Sequence, residues 1–459
     1  METFIMHQQP DPPQFKNSMG IHDAAGSRAM PCAHDQIELT TQPNNYRLIM
    51  AASLGNGLEI FDFTVYSFFA MVIGKLYFPS DTAYGSLLMA VAVFGVGFVM
   101  RPLGSVLLGG YADRQGRKAA MLVTIMLMGI GTALIAFAPT HEQIGWLAPV
   151  LIVIGRLLQG FAAGGEVGSA TTLLLESAGA NQRGFFVSWQ SISQGIAALF
   201  GASLGLLLTS SLSEESLYSW GWRVPFIIGL LIIPVGVYIR RHVEETFIGA
   251  QQNEGNAAHP AQQMLTSYRR DLILGVMIIM SGTAMIYIVL FYMPTYMIQT
   301  HHIAAPIAYL FSCLAAVIQV ISVYFAGRYV DRFKNHKNAM IFSIVAGIVM
   351  AYPTFWFLGM ADSLWLAVAC RLLLIVALGI NMLTSTLLIV EALPRPVRAT
   401  GMSMIYALGV TLFGGTAQVA VTWLLSVTGN PMAPAWYLIG MLAISLIATC
   451  LFKQRDYEQ

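Results

Sequence analysis

The sequence predicts an all-α membrane protein, with twelve transmembrane helices packed as two six-helix bundles and both termini cytoplasmic. Three observations predict it. Of 459 residues, 56% are hydrophobic and only 10% are charged, against roughly 45–50% and about 25% in an average soluble domain. Apolar runs of bilayer length, roughly 17–25 residues, recur along nearly the whole chain. The two halves of the chain also echo each other at a nearly constant offset. Charge excludes other classes: 24 Lys and Arg almost cancel 23 Asp and Glu, leaving a formal net charge of +1. No basic excess is available to hold a nucleic acid, and so apolar a chain is not a disordered one.

The runs fall at about 47–74, 85–108, 119–138, 146–175, 184–212, 222–239, 272–298, 303–327, 339–358, 363–391, 400–426 and 434–452. Within lipid each must be helical, because an unpaired backbone group finds no water there. None carries the polar face that a soluble bundle needs. The loops set the orientation. With the N-terminus inside, 19 Lys and Arg fall in cytoplasmic segments and only Lys75 falls outside; Arg101, Arg156, Arg223 and Arg371 lie within spans or at a span end. This is the positive-inside pattern.

The expected organisation is a disordered cytoplasmic tail over 1–46, a six-helix bundle over 47–240, a cytoplasmic loop over 241–270, a second bundle over 271–452 and a short tail over 453–459. The N-terminal tail has no apolar core of the kind a signal peptide needs, and Met30 and Met50 are alternative starts. Of four cysteines, Cys313, Cys370 and Cys450 lie in spans and Cys32 in the tail. They imply neither a disulfide framework nor a zinc site.

The repeat rests on four matches. Gly109-Gly-Tyr-Ala-Asp113-Arg114 pairs with Gly327-Arg-Tyr-Val-Asp331-Arg332 at an offset of 218. Arg156-Leu-Leu pairs with Arg371-Leu-Leu, Glu176 with Glu391, and Arg183 with Arg398, all at an offset of 215. Equivalent helices then run in the same direction, the parallel-repeat arrangement whose halves can rock about a central site.

These residues also carry a resemblance. Gly109–Lys118, which includes Gly116 and Arg117, resembles the loop signature of the major facilitator superfamily. Arg156-Leu-Leu-Gln-Gly160 resembles that superfamily's fourth-helix signature. More narrowly, Gly55-Asn-Gly-Leu-Glu59-Ile-Phe-Asp62-Phe, Arg101-Pro-Leu-Gly, Arg156–Glu166 and Trp189-Gln190 resemble the metabolite:H+ symporters. Ser188–Gln194 and Phe291-Tyr-Met-Pro-Thr-Tyr296 are most like the citrate and tricarballylate branch. The resemblance spans all twelve helices but not residues 1–46. It implies a proton-coupled transporter of the inner membrane, with no cofactor beyond protons. One departure is Lys334, where the loop signature has Gly, which implies a looser second gate.

A charge at the bilayer centre costs about 2.5–3.5 kcal/mol, so each needs a reason. Arg156 and Arg371 lie about 15 Å and 12 Å along their helices, near mid-membrane. As repeat counterparts they face one cavity from opposite halves. Arginine bonds carboxylates with two parallel donors, so the pair suits a polycarboxylate; the alternative is that either one neutralises a bundle carboxylate. Arg101 either contacts substrate or pairs with Glu59 or Asp62. Glu59 and Asp62, three residues apart, share a helix face. Burial disfavours a carboxylate's charge and a nearby Arg favours it, so they either carry protons or hold a fixed ion pair with Arg101. Glu166 is a third coupling candidate. All nine His lie outside the predicted spans, which leaves proton transfer through the membrane to carboxylates.

Asp113, Arg114, Arg183, Glu176, Asp331, Arg332, Glu391 and Arg398, at cytoplasmic span ends, read as an inner gate of ion pairs and helix-end dipoles. Gln190, Gln194, Tyr292, Tyr296, Asn381 and Gln418 are polar cavity candidates, or else bond helix to helix. The expected function is import of a small polycarboxylate, citrate or a related tricarboxylate such as tricarballylate, with protons. The expected partners are the anionic solute, H+ and lipid, in a monomer with no metal site. The alternatives are a dicarboxylate such as α-ketoglutarate and a zwitterionic osmolyte such as proline or betaine. The osmosensing members carry a long C-terminal coiled coil, and only about seven residues follow span twelve here. An enzyme would need a nucleophile and base at a membrane face, and intramembrane His is absent.

Overall fold

In a computed structural model, the structure describes residues 45–115, 117–164, 183–231, 233–234, 260–330, 336–360 and 363–453. Helix lies in each of the twelve predicted spans. Among the described residues, eight helices are long and apolar enough to cross a bilayer alone, and a bent pair forms a ninth span. The shorter helices 122–137 and 147–163 are the third and fourth spans, and Val224–Gly229 belongs to the sixth.

Several spans depart from regular α-helix. Span one breaks between Asn45–Phe68 and Ala70–Tyr77 with a bend of 62°. Span seven runs from Arg269 to His301 with a π-helical segment over Ile286–Tyr292. Pro294 has no N–H for the carbonyl of Leu290 four residues back, and a π segment just upstream absorbs the mismatch. Span eleven holds a second π segment, Val410–Gly414, beside the glycine pair Gly414-Gly415. Span two (Gly85–Gln115) carries Pro102 inside it, which frees the carbonyl of Phe98. The hydroxyl of Thr411, in the π segment of span eleven, donates to that carbonyl at 3.0 Å.

Backbone contact sets the packing of the N-terminal helices. A Cβ on Gly160 would strike the carbonyl of Gly97, one on Gly104 that of Phe161, and one on Gly164 that of Arg101. Spans two and four therefore touch along three turns, as small residues allow in membranes. Contacts between the first six and last six spans run chiefly through spans five and eight and through spans two and eleven.

Span ends differ from the hydropathy reading. All nine histidines were expected outside the spans, but His301 closes the seventh helix and His336 opens the ninth. Hydropathy stops at the last apolar residue, whereas the helix continues a turn further into the interface.

Candidate functional site

A cavity lies between the two halves. Its lining includes Gln190 and Gln194 from span five, Tyr287 from span seven, Ser385 and Thr386 from span ten and Tyr406 from span eleven. Asn56 of span one fixes span five beside it: its amide donates to the carbonyl of Gln190 at 3.0 Å and to Ser193 Oγ at 2.7 Å. The Tyr406 hydroxyl faces Gln194 across the halves. Tyr287 and Tyr406 both lie within electrostatic reach of Arg101 and Glu59.

Arg101 and Glu59 are 3% and 2% exposed and meet at 3.7 Å. That is an ion pair rather than a hydrogen bond. The guanidinium packs over the rings of Phe98 and Phe63, at 4.3 and 4.6 Å, where the π faces attract a cation. Phe98 in turn meets the ring of Tyr287 at 5.4 Å. Of the alternatives the sequence leaves open for Arg101, an ion pair with Glu59 is present, and Asp62 is elsewhere.

Asp62 belongs to a second cluster. Its Oδ2 accepts from the Thr132 hydroxyl and from Gln159 Nε2 at 3.0 Å. The Gln159 carbonyl oxygen accepts from Arg156 Nη1 at 2.7 Å. The Arg156 guanidinium lies over the Tyr66 ring at 3.7 Å. Its Nε and Nη2 are buried without a hydrogen-bond partner.

Arg371, its repeat counterpart, is 3% exposed. Its Nε donates to the carbonyl of Val289 in the π segment at 3.1 Å and its Nη2 to Ser312 Oγ at 3.3 Å, while Nη1 is buried without a partner. Among the described residues no carboxylate forms an ion pair with Arg371 or Arg156. Both thus keep donors free inside the protein, and neither lines the cavity.

The other polar candidates divide. Gln190 and Gln194 line the cavity. Tyr292 shares a hydrogen bond with Thr422 at 2.7 Å, and Asn381 bonds Ser281 and Ser343 within the C-terminal bundle. Tyr296 donates to the carbonyl of Pro431. Gln418 donates to Ser67 Oγ at 2.7 Å, across the halves, and to the Tyr287 carbonyl at 3.4 Å. Sequence reasoning missed Tyr287, Tyr406, Thr132 and the partner role of Gln159. Only Gln159 carried a signal, as part of the Arg156–Gly160 motif.

At the gate, the Glu391 carboxylate accepts from His336 Nδ1 at 2.8 Å, and Arg398 Nε donates to the Leu393 carbonyl at 3.2 Å. Glu166, Gly116, Glu176, Asp331 and Arg332 lie outside the described residues, as do the side chains of Asp113, Arg114, Arg117 and Arg183 and the surroundings of Gly109. Groups of three or more His, Cys, Asp or Glu that could hold a metal are absent among the described residues.

The profile of the Major Facilitator Superfamily matches residues 52–417. A citrate-proton symporter of Klebsiella pneumoniae is 34% identical over 408 residues, covering 89% of this chain and 92% of its own length. The alpha-ketoglutarate permease of Escherichia coli is 31% identical, covering 91% of this chain and 96% of its own. The proline/betaine transporter of that organism is also 31% identical, covering 89% and 83%. Among solved structures, a D-xylose-proton symporter superposes with a TM-score of 0.71 at 17% identity, over 90% of this chain and 98% of its own.

Proposed function

The chain belongs to the Major Facilitator Superfamily, a transporter family rather than an enzyme family, and from that premise we propose that it imports a small polycarboxylate with protons. Citrate, or a related tricarboxylate such as tricarballylate, is the substrate in this reading. Import runs across the inner membrane by alternating access of the two halves. Both termini are cytoplasmic, on the side of the Arg- and Lys-rich loops.

One observation carries the substrate class. Three arginines, Arg101, Arg156 and Arg371, are buried within the spans, outside the cavity lining, and each keeps at least one nitrogen without a hydrogen-bond partner. A buried charged donor left unmade is costly. Carboxylates of an entering anion supply the missing acceptors, with Gln190, Gln194 and the Tyr406 hydroxyl taking its remaining oxygens. Tyr292 and Asn381 serve this site by holding the C-terminal helices that frame it.

The proton carrier in this reading is Asp62. Its carboxylate is held by neutral donors, so it can change its proton without breaking an ion pair. Glu59 stays tied to Arg101. Entry of a multiply charged anion among these groups is balanced by protons that arrive with it. The Klebsiella citrate-proton symporter supports tricarboxylate over zwitterion.

The test is uptake of labelled citrate into proteoliposomes under an imposed pH gradient, with tricarballylate, α-ketoglutarate and betaine as competitors. Accumulation that a protonophore abolishes and that tricarboxylates compete for is expected. Absence of citrate uptake, or stronger competition by betaine, overturns the substrate.

A further inference from the structure

We infer that Thr132 and Gln159 are positioning residues that set the proton affinity of Asp62 and report its charge to Arg156. The inference rests on the reading of Asp62 as proton carrier. Asp62, Thr132, Gln159 and Arg156 come from spans one, three and four, and each is at most 1% exposed. None of them lines the cavity between the halves.

The chemistry of the guanidinium and the amide fixes the direction of their bonds. A guanidinium only donates, so Arg156 Nη1 must be met by the one amide acceptor of Gln159, at 2.7 Å. The Gln159 Nε2 then has to donate, and it points at Asp62 Oδ2 at 3.0 Å and Thr132 Oγ1 at 2.9 Å. The Thr132 hydroxyl reaches two acceptors, the same Oδ2 and the Met128 carbonyl at 3.0 Å, and donates to Oδ2 while Asp62 is ionised. Oδ2 of the carboxylate is therefore an acceptor for two neutral donors, and a proton there would break the bond from Gln159 and turn the Thr132 hydroxyl to Met128.

The other oxygen, Oδ1, is buried without a partner. A Cβ at Gly229 of span six would come within 2.5 Å of it, so glycine keeps that side open. A proton can bind Oδ1 and leave the bonds at Oδ2 in place. Once it does, Oδ2 faces Gln159 as part of a neutral acid and is the weaker acceptor. Arg156 then loses the negative charge it senses through the amide, and its guanidinium is released toward a carboxylate of the substrate. The charged groups around this cluster are Arg156 and, beyond it, Arg101; Tyr66 is the other titratable neighbour.

The closing experiment uses the full chain in proteoliposomes, with two readouts. The first is an infrared pH titration of the protonated-carboxyl band that disappears in Asp62→Asn. In Thr132→Val, which keeps the shape and loses the hydroxyl, and in Gln159→Leu, its midpoint is expected to move about tenfold in proton concentration. In Thr132→Ser, which restores the donor, the midpoint stays near wild type. The second compares pH-driven net uptake of labelled citrate with exchange against internal citrate, which moves no net protons. Gln159→Leu should lose about tenfold in net uptake and keep exchange within about threefold.

An unmoved band in both donor-deleting variants overturns the inference, as does equal loss of exchange and net uptake in Gln159→Leu. If wild type takes up no citrate but the band still moves as stated, the proposed substrate fails and the positioning role stands. If Asp62→Asn retains pH-driven uptake, the proton carrier and this inference fall together.

Discussion

Arg101 shows how a buried charge is held where water is absent. Its counter-ion Glu59 is 3.7 Å away, and its guanidinium lies over the rings of Phe98 and Phe63 at 4.3 and 4.6 Å. Removing one partner of such a pair costs about 3–5 kcal/mol, because the other charge stays behind. Arg101→Met should therefore lower the thermal midpoint in detergent well below wild type, and Glu59→Gln combined with Arg101→Met should recover much of the loss. A double variant no better than Arg101→Met would show that the pair is not what stabilises the site. Arg371→Lys makes a separate prediction: it removes the Nε–H bonded to Val289 and the second prong offered to a carboxylate. A charge-assisted hydrogen bond contributes about 1.5–3 kcal/mol, so the KM for citrate should rise by about tenfold or more. An unchanged KM in uptake assays would remove Arg371 from the substrate site. At this scale the sequence disclosed which charges lie in the membrane, but not what each touches. Glu59 and Asp62 are three residues apart on one helix face, yet Glu59 pairs with Arg101 while Asp62 is met by Thr132 and Gln159. A lone threonine in an apolar run carries no mark of such a role.

Elements show a second use for polar residues in these spans. Each irregular stretch frees a carbonyl, and lipid offers it no donor. Phe98, opened by Pro102, is met by Thr411; Val289 and Tyr287, in the π segment, are met by Arg371 and Gln418. Apolar length alone was enough to find the helices, since every predicted run contains one. The 62° break after Phe68 and the two π segments were not legible, because one proline in a 33-residue span does not say how the chain absorbs it. Helix contact through glycine is a testable consequence. Gly160→Ala drives a methyl into the Gly97 carbonyl, backbone against backbone, whereas Gly440→Ala meets nothing within 4 Å. Overpacking of this kind costs about 1–3 kcal/mol or more, and Ala in an open helical position gains up to about 1 kcal/mol. Gly160→Ala should thus unfold at lower temperature than wild type and Gly440→Ala at the same or higher. Equal melting of the two would mean that spans two and four can separate without loss.

For the whole molecule, one polarity runs from side to side. The six exposed tryptophans, Trp146, Trp220, Trp356, Trp365, Trp423 and Trp436, all lie toward the ends of spans opposite the Arg- and Lys-rich loops. Indoles favour a membrane–water interface and cationic side chains the cytoplasmic side, so tryptophan marks one face and the cationic loops the other. On the tryptophan-bearing face, the outer one in the proposed orientation, the halves are joined. Gln299 Nε2 donates to the Ala83 carbonyl at 2.8 Å, Tyr84 and Thr300 share a bond at 3.2 Å, and the Tyr309 hydroxyl donates to the Phe68 carbonyl at 2.7 Å. The last of these lands on the residue where span one breaks, so the bend presents a carbonyl to span eight. In the proposed import, a substrate entering from outside waits for these bonds to open. Each contributes about 1 kcal/mol net, and two together hold the outer side shut by roughly thirtyfold in population. Gln299→Ala with Tyr309→Phe should shift the balance toward outward opening by that order. The readout is labelling by an impermeant maleimide at Ser191→Cys, a cavity position, in a chain whose four cysteines are replaced by serine. Labelling from outside should rise by about tenfold or more over the same chain with Gln299 and Tyr309 intact. If it does not rise, the outer seal is held by apolar packing of spans one, seven and eight rather than by these hydrogen bonds, and the gating step would then be governed by contact area instead of by a few polar latches.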